Sequence, residues 1–130
     1  MRIIKFRGQK ENGDWVYGSV LTWNGVNGSI YFQVKKGRSE TMEYALVHPR
    51  TVGQFTGLFD KNGKEIYEGD VLMFQISVKR VVGYEDSHRA CFSLLDQHLH
   101  YSSSFGSGTY ESFYCEVIGN IHDNPELLKQ

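Results

Sequence analysis

Asp96, His98 and His100 are spaced two residues apart and carry the side chains that a divalent metal ion takes as ligands. Alternate residues of an extended strand share a face, so a carboxylate and two imidazoles at this spacing would converge on one ion. The same residues also suit a solvated polar turn, where histidines are common without any metal, and the turn is the preferred reading. A fuller ligand set would need His88 or His122, which nothing in the sequence brings near them.

A second group is basic. Lys35, Lys36 and Arg38, with Lys79 and Arg80, could grip phosphates while Tyr31, Tyr84 and Tyr101 stack on bases. The plainer account is that the first three solubilise a turn and Lys79 guards an edge strand. Glu40, Glu43, Glu85 and Asp86 would screen the positive charge.

Glu65, Glu68 and Asp70 look like paired acids, yet acid–base catalysis needs two carboxyls in different environments of a cleft. These three surround a tight turn, where capping of free amides accounts for them. Serines 102–104 have no nucleophile-elbow context, and Gly106-Ser107-Gly108 lacks the lysine and following helix of a phosphate loop. The expectation is a non-enzymatic chain with no catalytic residues, no cofactor and no small-molecule substrate.

The elements that must position these groups are mostly strands. Asn-Gly pairs at 12–13, 24–25, 27–28 and 62–63 favour tight hairpin turns, because both residues tolerate positive φ. Between them the apolar period is two: Trp15, Tyr17 and Leu21 share one face, as do Ile30, Phe32 and Val34. Strands are expected near residues 3–7, 15–21, 29–35, 51–55, 64–67, 71–76, 78–85, 90–95 and 113–121, while 41–46 could form a short helical turn. Residues 102–108 read as a mobile Ser/Gly loop. Asn124-Pro125-Glu126 has the cap, first-turn proline and acidic residue of a helix start. Trp15, Tyr17, Phe55, Phe74, Phe92 and Phe113 are assigned to the core.

A chain of 130 residues suits one domain with a real core, and its 40% hydrophobic content offsets the ordering entropy. Fourteen basic and fifteen acidic residues give a net charge of −1, which is unlike a dedicated polyanion binder. The start has only two adjacent aliphatic residues before charge returns, so no signal core or membrane span is expected, and the location expected is the cytoplasm. Cys91 and Cys115 are then two reduced thiols, largely buried.

The stretch from Thr51-Val52-Gly53-Gln54-Phe55-Thr56-Gly57-Leu58-Phe59-Asp60 through Asn62-Gly63 and Tyr67-Glu68-Gly69-Asp70-Val71-Leu72 resembles the central signature of the YopX family. Ile4-Lys5-Phe6-Arg7-Gly8, Trp15-Val16-Tyr17-Gly18, Glu116-Val117-Ile118-Gly119-Asn120-Ile121 and Asn124-Pro125-Glu126-Leu127-Leu128 resemble its flanks. The resemblance implies a mostly β protein of phages and prophages, found in the host bacterial cell, whose second half is an SH3-like barrel. It supplies no catalytic residues. Physically, Gly69 relieves the backbone at a turn that Asp70 can cap.

The expected architecture is therefore mostly β in one unit: an antiparallel region over residues 1–60, then an SH3-like barrel over 61–130 with a short C-terminal helix. The expected function is a protein-interaction or self-assembly module whose partner is a second copy or a phage or host protein. The alternative is a nucleic-acid-binding small barrel.

Overall fold

The computed structural model describes residues 3–23, 27–36, 39–74, 78–85, 91–105 and 114–129, with the side chains of 21–23, 27–36, 39–44 and 85 excepted. Its contacts gather into two units, Met1–Gln54 and Phe55–Gln130.

In the first unit, β1 (Phe6–Gln9), β2 (Trp15–Trp23), β3 (Asn27–Lys36) and β4 (Ser39–Val47) pair antiparallel in sequence order. The start of β5 (Gly53–Phe59) lies on the other side of β1, where Arg7 faces Gly53. The β1–β2 turn is the expected Asn12-Gly13 hairpin: Gly13 has φ +96°, and Lys10 N–H donates to Asp14 O at 2.9 Å. Asn24-Gly25 lies outside the described residues. Asn27-Gly28 begins β3 and pairs with Thr22 and Trp23, so it is ladder and not turn.

Two expectations here are corrected. Residues 41–46 belong to strand β4, because nine consecutive residues pair with β3 from Gly28↔Val47 to Lys36↔Ser39 and override the weak local helical pattern. Tyr17 is 48% exposed, so its face is not the buried one. Val16 and Val20, on the opposite phase of the pleat, pack instead around Val47 with Ala45 and Val52. Trp15 is half-buried beneath Arg7, whose guanidinium carbon lies 4.6 Å from the ring centroid.

In the second unit, the rest of β5 pairs with β6 (Glu65–Tyr67), Phe55 facing Tyr67. A five-stranded antiparallel sheet follows in the order β10-β9-β8-β7-β11, formed by β7 (Asp70–Phe74), β8 (Val78–Glu85), β9 (Cys91–Leu95), β10 (Tyr101–Ser104) and β11 (Cys115–Asn120). One face builds the core: Ile66, Leu72, Val82, Leu94, Phe105 and Cys115 are buried, with Phe74 and Phe92 half-buried against them. Phe55 is buried against Tyr67, with ring centroids 5.4 Å apart. Cys91 and Cys115 are both free thiols, the first half-buried and the second fully buried. Phe113 lies outside the described residues.

Barrel closure is not found among the described residues. The last strand was expected to close the barrel, but β11 pairs only with β7. Its outer side meets a turn instead of a strand: Lys61 N–H donates to Cys115 O at 2.9 Å, and Val117 N–H to Asp60 Oδ2 at 3.0 Å. The C-terminal helix is also corrected, to a 3-10 turn at Pro125–Leu128. Asn124 does not cap it, because its Oδ1 points back and accepts from Asn120 N–H at 3.2 Å, and only four residues remain before Lys129 returns to extended backbone.

Two further features were missed. Residues 102–104 of the supposed mobile loop belong to β10, and Phe105 is 3% exposed in the core, while 106–108 lie outside the described residues. Serine repeats hid a strand whose register comes from Phe105 and from β9.

Candidate functional site

The turn joining β9 to β10 is built by Asp96. Its amide donates to His100 O at 2.8 Å, and its Oδ1 accepts from the amides of His98 and His100 at 2.9 and 3.0 Å. These contacts, that of His100 first, outweigh desolvation and hold the carboxyl below the usual carboxylate range, with the nearby imidazoles adding to the effect. Leu99 closes the turn with φ +62°, a left-handed conformation usually left to glycine.

Asp96, His98 and His100 therefore do not share the face of a strand. The two imidazole centroids lie 6.2 Å apart, and Asp96 Oδ1 is committed to backbone amides. Among the described residues no three His, Cys, Asp or Glu side chains gather closely enough to hold a metal ion.

The structure does bring part of this set together with part of the basic set. A groove of about 430 Å³ is lined by Lys79 and Arg80 from β8 and by Asp96, Gln97 and His98 from the turn. Lys129 adds a third cation, and Val78 and Leu127 are its apolar walls. His100 is not part of it. Lys79 Nζ donates to Leu127 O at 3.2 Å, which ties the C-terminal turn to β8, and Arg80 Nη1 donates to Lys79 O at 2.8 Å.

Lys35 and Lys36 lie elsewhere, in β3, with backbones opposite Glu40 and Ser39; their side chains, and Arg38 altogether, lie outside the described residues. His88 is also outside them. Gln97 joins Lys79 because β9 lies beside β8, and Leu127 and Lys129 join it because the chain folds back after β11.

Gly119 leaves room for that fold-back. A β-carbon there would fall 2.5 Å from Asn124 Oδ1 and 2.8 Å from Leu127 Cδ1, so any larger residue makes those side chains shift. Gly83 has the same relation to Leu95, whose Cδ1 would lie 2.8 Å from an added β-carbon.

The supposed acid pair has structural duties. Asp70, 2% exposed, accepts from Tyr67 N–H at 2.8 Å across the turn that Gly69 makes with φ +90°, as its sequence suggested. Glu65 accepts from the Tyr67 hydroxyl at 3.1 Å.

The two edges of the second unit's sheet differ. The β11 edge is sealed by the 60–64 turn, whereas among the described residues no strand pairs with the outer side of β10. Phe105 N–H donates inward to Phe92 O at 2.9 Å. Antiparallel alternation then turns the neighbouring Ser104 amide outward.

The second unit is thus a small antiparallel β sheet whose β10 edge is unpaired among the described residues, with a groove lined by three cations. The YopX protein family model matches residues 5–129, and the chain belongs to that family. It is similar to the crystal structure of protein EF1440 from Enterococcus faecalis, with a TM-score of 0.64 and 25% identity over 99% of this chain and 100% of that one. No curated protein matches it. Among the described residues no helix is long and apolar enough to cross a membrane.

Proposed function

We propose that this YopX-family chain is a non-enzymatic interaction module whose open β10 edge takes a strand from a second copy or from another protein. The setting is a phage or integrated element, acting in the cytoplasm of the bacterial host, as the family resemblance implies. One observation carries the reading: the sheet seals its β11 edge with a dedicated turn and leaves β10 with an outward backbone amide at Ser104. Unpaired strand edges are ready templates for strand addition. The carboxylates at 60, 70 and 96 support the non-catalytic side of the reading, since each accepts backbone amides in a turn.

The test replaces Ser104 by proline, which removes the outward amide at an edge position that tolerates it. Sedimentation equilibrium over a wide concentration range, and binding to any isolated partner, should show association that is lost in the variant while the thermal midpoint moves only a few degrees. Association that survives the substitution, or an inert monomer under all conditions, would contradict the reading.

A second reading is a nucleic-acid-binding small barrel, which Lys79 and Arg80 favour by lining one groove with Lys129. Retention of DNA or RNA at low salt that disappears when Lys79 and Arg80 are neutralised would support it over the first.

A further inference from the structure

We infer that the groove between the start of β8 and the β9–β10 turn binds an acidic segment of a partner protein, one carboxylate flanked by apolar side chains. The inference rests on the interaction-module reading and names the chemistry of its partner.

Charge complementarity carries it. Lys79, Arg80 and Lys129 all line the groove, and none has an ion-pair partner among the described residues. Lys79 spends one proton on Leu127 O and keeps two, while Arg80 spends a donor on Lys79 O and keeps the rest of its fork. Lys79 and Arg80 are each held by one backbone contact and keep donors for an anion. A carboxylate satisfies them with charge-assisted hydrogen bonds.

The remaining walls select among anions. Val78 and Leu127 offer apolar surface beside the cations, which suits a peptide with leucine-like residues next to its acid. Asp96 also faces the groove, and its carboxyl stays ionised because the amide of His100 chiefly holds its pKa down. A negative charge in the same lining opposes a run of phosphates more than it opposes a single carboxylate. The exposed rings of Tyr84, Tyr101 and Tyr114, which could stack on bases, do not line the groove. The volume, about 430 Å³, is within the range of small binding clefts.

The experiment is fluorescence anisotropy with a labelled twelve-residue peptide that interleaves glutamate and leucine, its lysine-for-glutamate counterpart, and a single-stranded oligonucleotide of equal charge. Wild-type protein should bind the acidic peptide, with affinity falling as salt rises, and should bind neither of the other two. K79Q/R80Q should weaken binding at least tenfold, and K79R, which keeps the charge, should weaken it far less. Circular dichroism of each variant checks that the fold persists, and K129Q, at an exposed position of the lining, gives a milder loss in the same direction. Tighter binding of the oligonucleotide, with the same dependence on Lys79 and Arg80, would assign the groove to phosphates and overturn the inference. So would acidic-peptide binding that ignores K79Q/R80Q, or no binding of that peptide at all. Those last results leave the interaction-module reading to the Ser104→Pro experiment, which does not involve the groove.

Discussion

The Val117 amide donates to Asp60 Oδ2 at 3.0 Å, joining two residues 57 apart in the chain. The other oxygen of the same carboxylate accepts from the amides of Asn62 and Lys64, at 2.8 and 2.9 Å. A single side chain, 6% exposed, thus shapes the Asn62-Gly63 hairpin and fastens it to the last strand. Its position explains how the turn seals that edge of the sheet.

Asp60→Ala should cost about 3 kcal/mol, since it strands three amide donors in half-buried surroundings. Asp60→Asn keeps one acceptor oxygen and should cost less. Urea denaturation of the three proteins gives the order wild type, then Asn, then Ala, and equal midpoints would show that the contact contributes nothing.

Acid should act through the same group. Burial is the largest single influence on Asp60 and pushes its carboxyl up, but the amides of Val117, Lys64 and Asn62 and the charge of Lys64 together hold it below the ordinary value. A carboxyl lowered on folding stabilises the native state fully above its unfolded pKa of about 3.9, and that contribution disappears as pH falls through the lower folded value. Wild-type stability should therefore fall on acidification below about pH 4, and Asp60→Asn should flatten that part of the curve. Asp96, also lowered, contributes in the same window, so Asp96→Asn is measured in parallel.

Leu99 should be improvable. It holds φ +62° with its side chain half exposed, a conformation that costs an L-residue about 1–2 kcal/mol. Glycine removes the strain and returns part of the gain as unfolded-state entropy, so Leu99→Gly should raise stability by about 0.5–1 kcal/mol, whereas Leu99→Ala keeps the β-carbon and should give no gain. A lower melting temperature for the glycine variant would show that the Leu99 side chain makes a contact worth more than the strain.

Gly119→Ala should detach the C-terminal turn. The added methyl meets Asn124 and Leu127 at distances that real β-carbons do not adopt, and overpacking of this kind costs about 1–3 kcal/mol. Proteolysis after residue 120 should accelerate, and the same variant should lose acidic-peptide binding because Leu127 and Lys129 leave the groove. Unchanged cleavage would mean that the turn shifts without releasing.

Much of this was legible because it is local. Asn12-Gly13 and Asn62-Gly63 announce their turns through backbone tolerance, and Tyr67-Glu68-Gly69-Asp70 announces both its glycine and its cap. The sequence misled where long-range pairing decides. Thr41 to Leu46 has a weak helical pattern that pairing with β3 overrides, and Tyr17 shares a period with Trp15 while the buried phase of β2 belongs to Val16 and Val20. Ser102 to Ser104 look like loop until Phe105 anchors them. For the site, Lys79, Arg80, Asp96 and His98 were all nominated, but for two unrelated purposes. Their meeting depends on β8 lying beside β9 and on the chain returning through Leu127, and no spacing in the sequence records either.

The most direct measurement is residue-resolved amide hydrogen exchange along β10. In dilute protein the account predicts slow exchange at Phe105, whose amide is spent on Phe92, and fast exchange at Ser104. Ser104 should then become protected when the protein is concentrated or a partner strand is added. Strong protection of Ser104 already in the dilute monomer would mean that the edge is covered from within, and the interaction surface proposed for this chain would not exist.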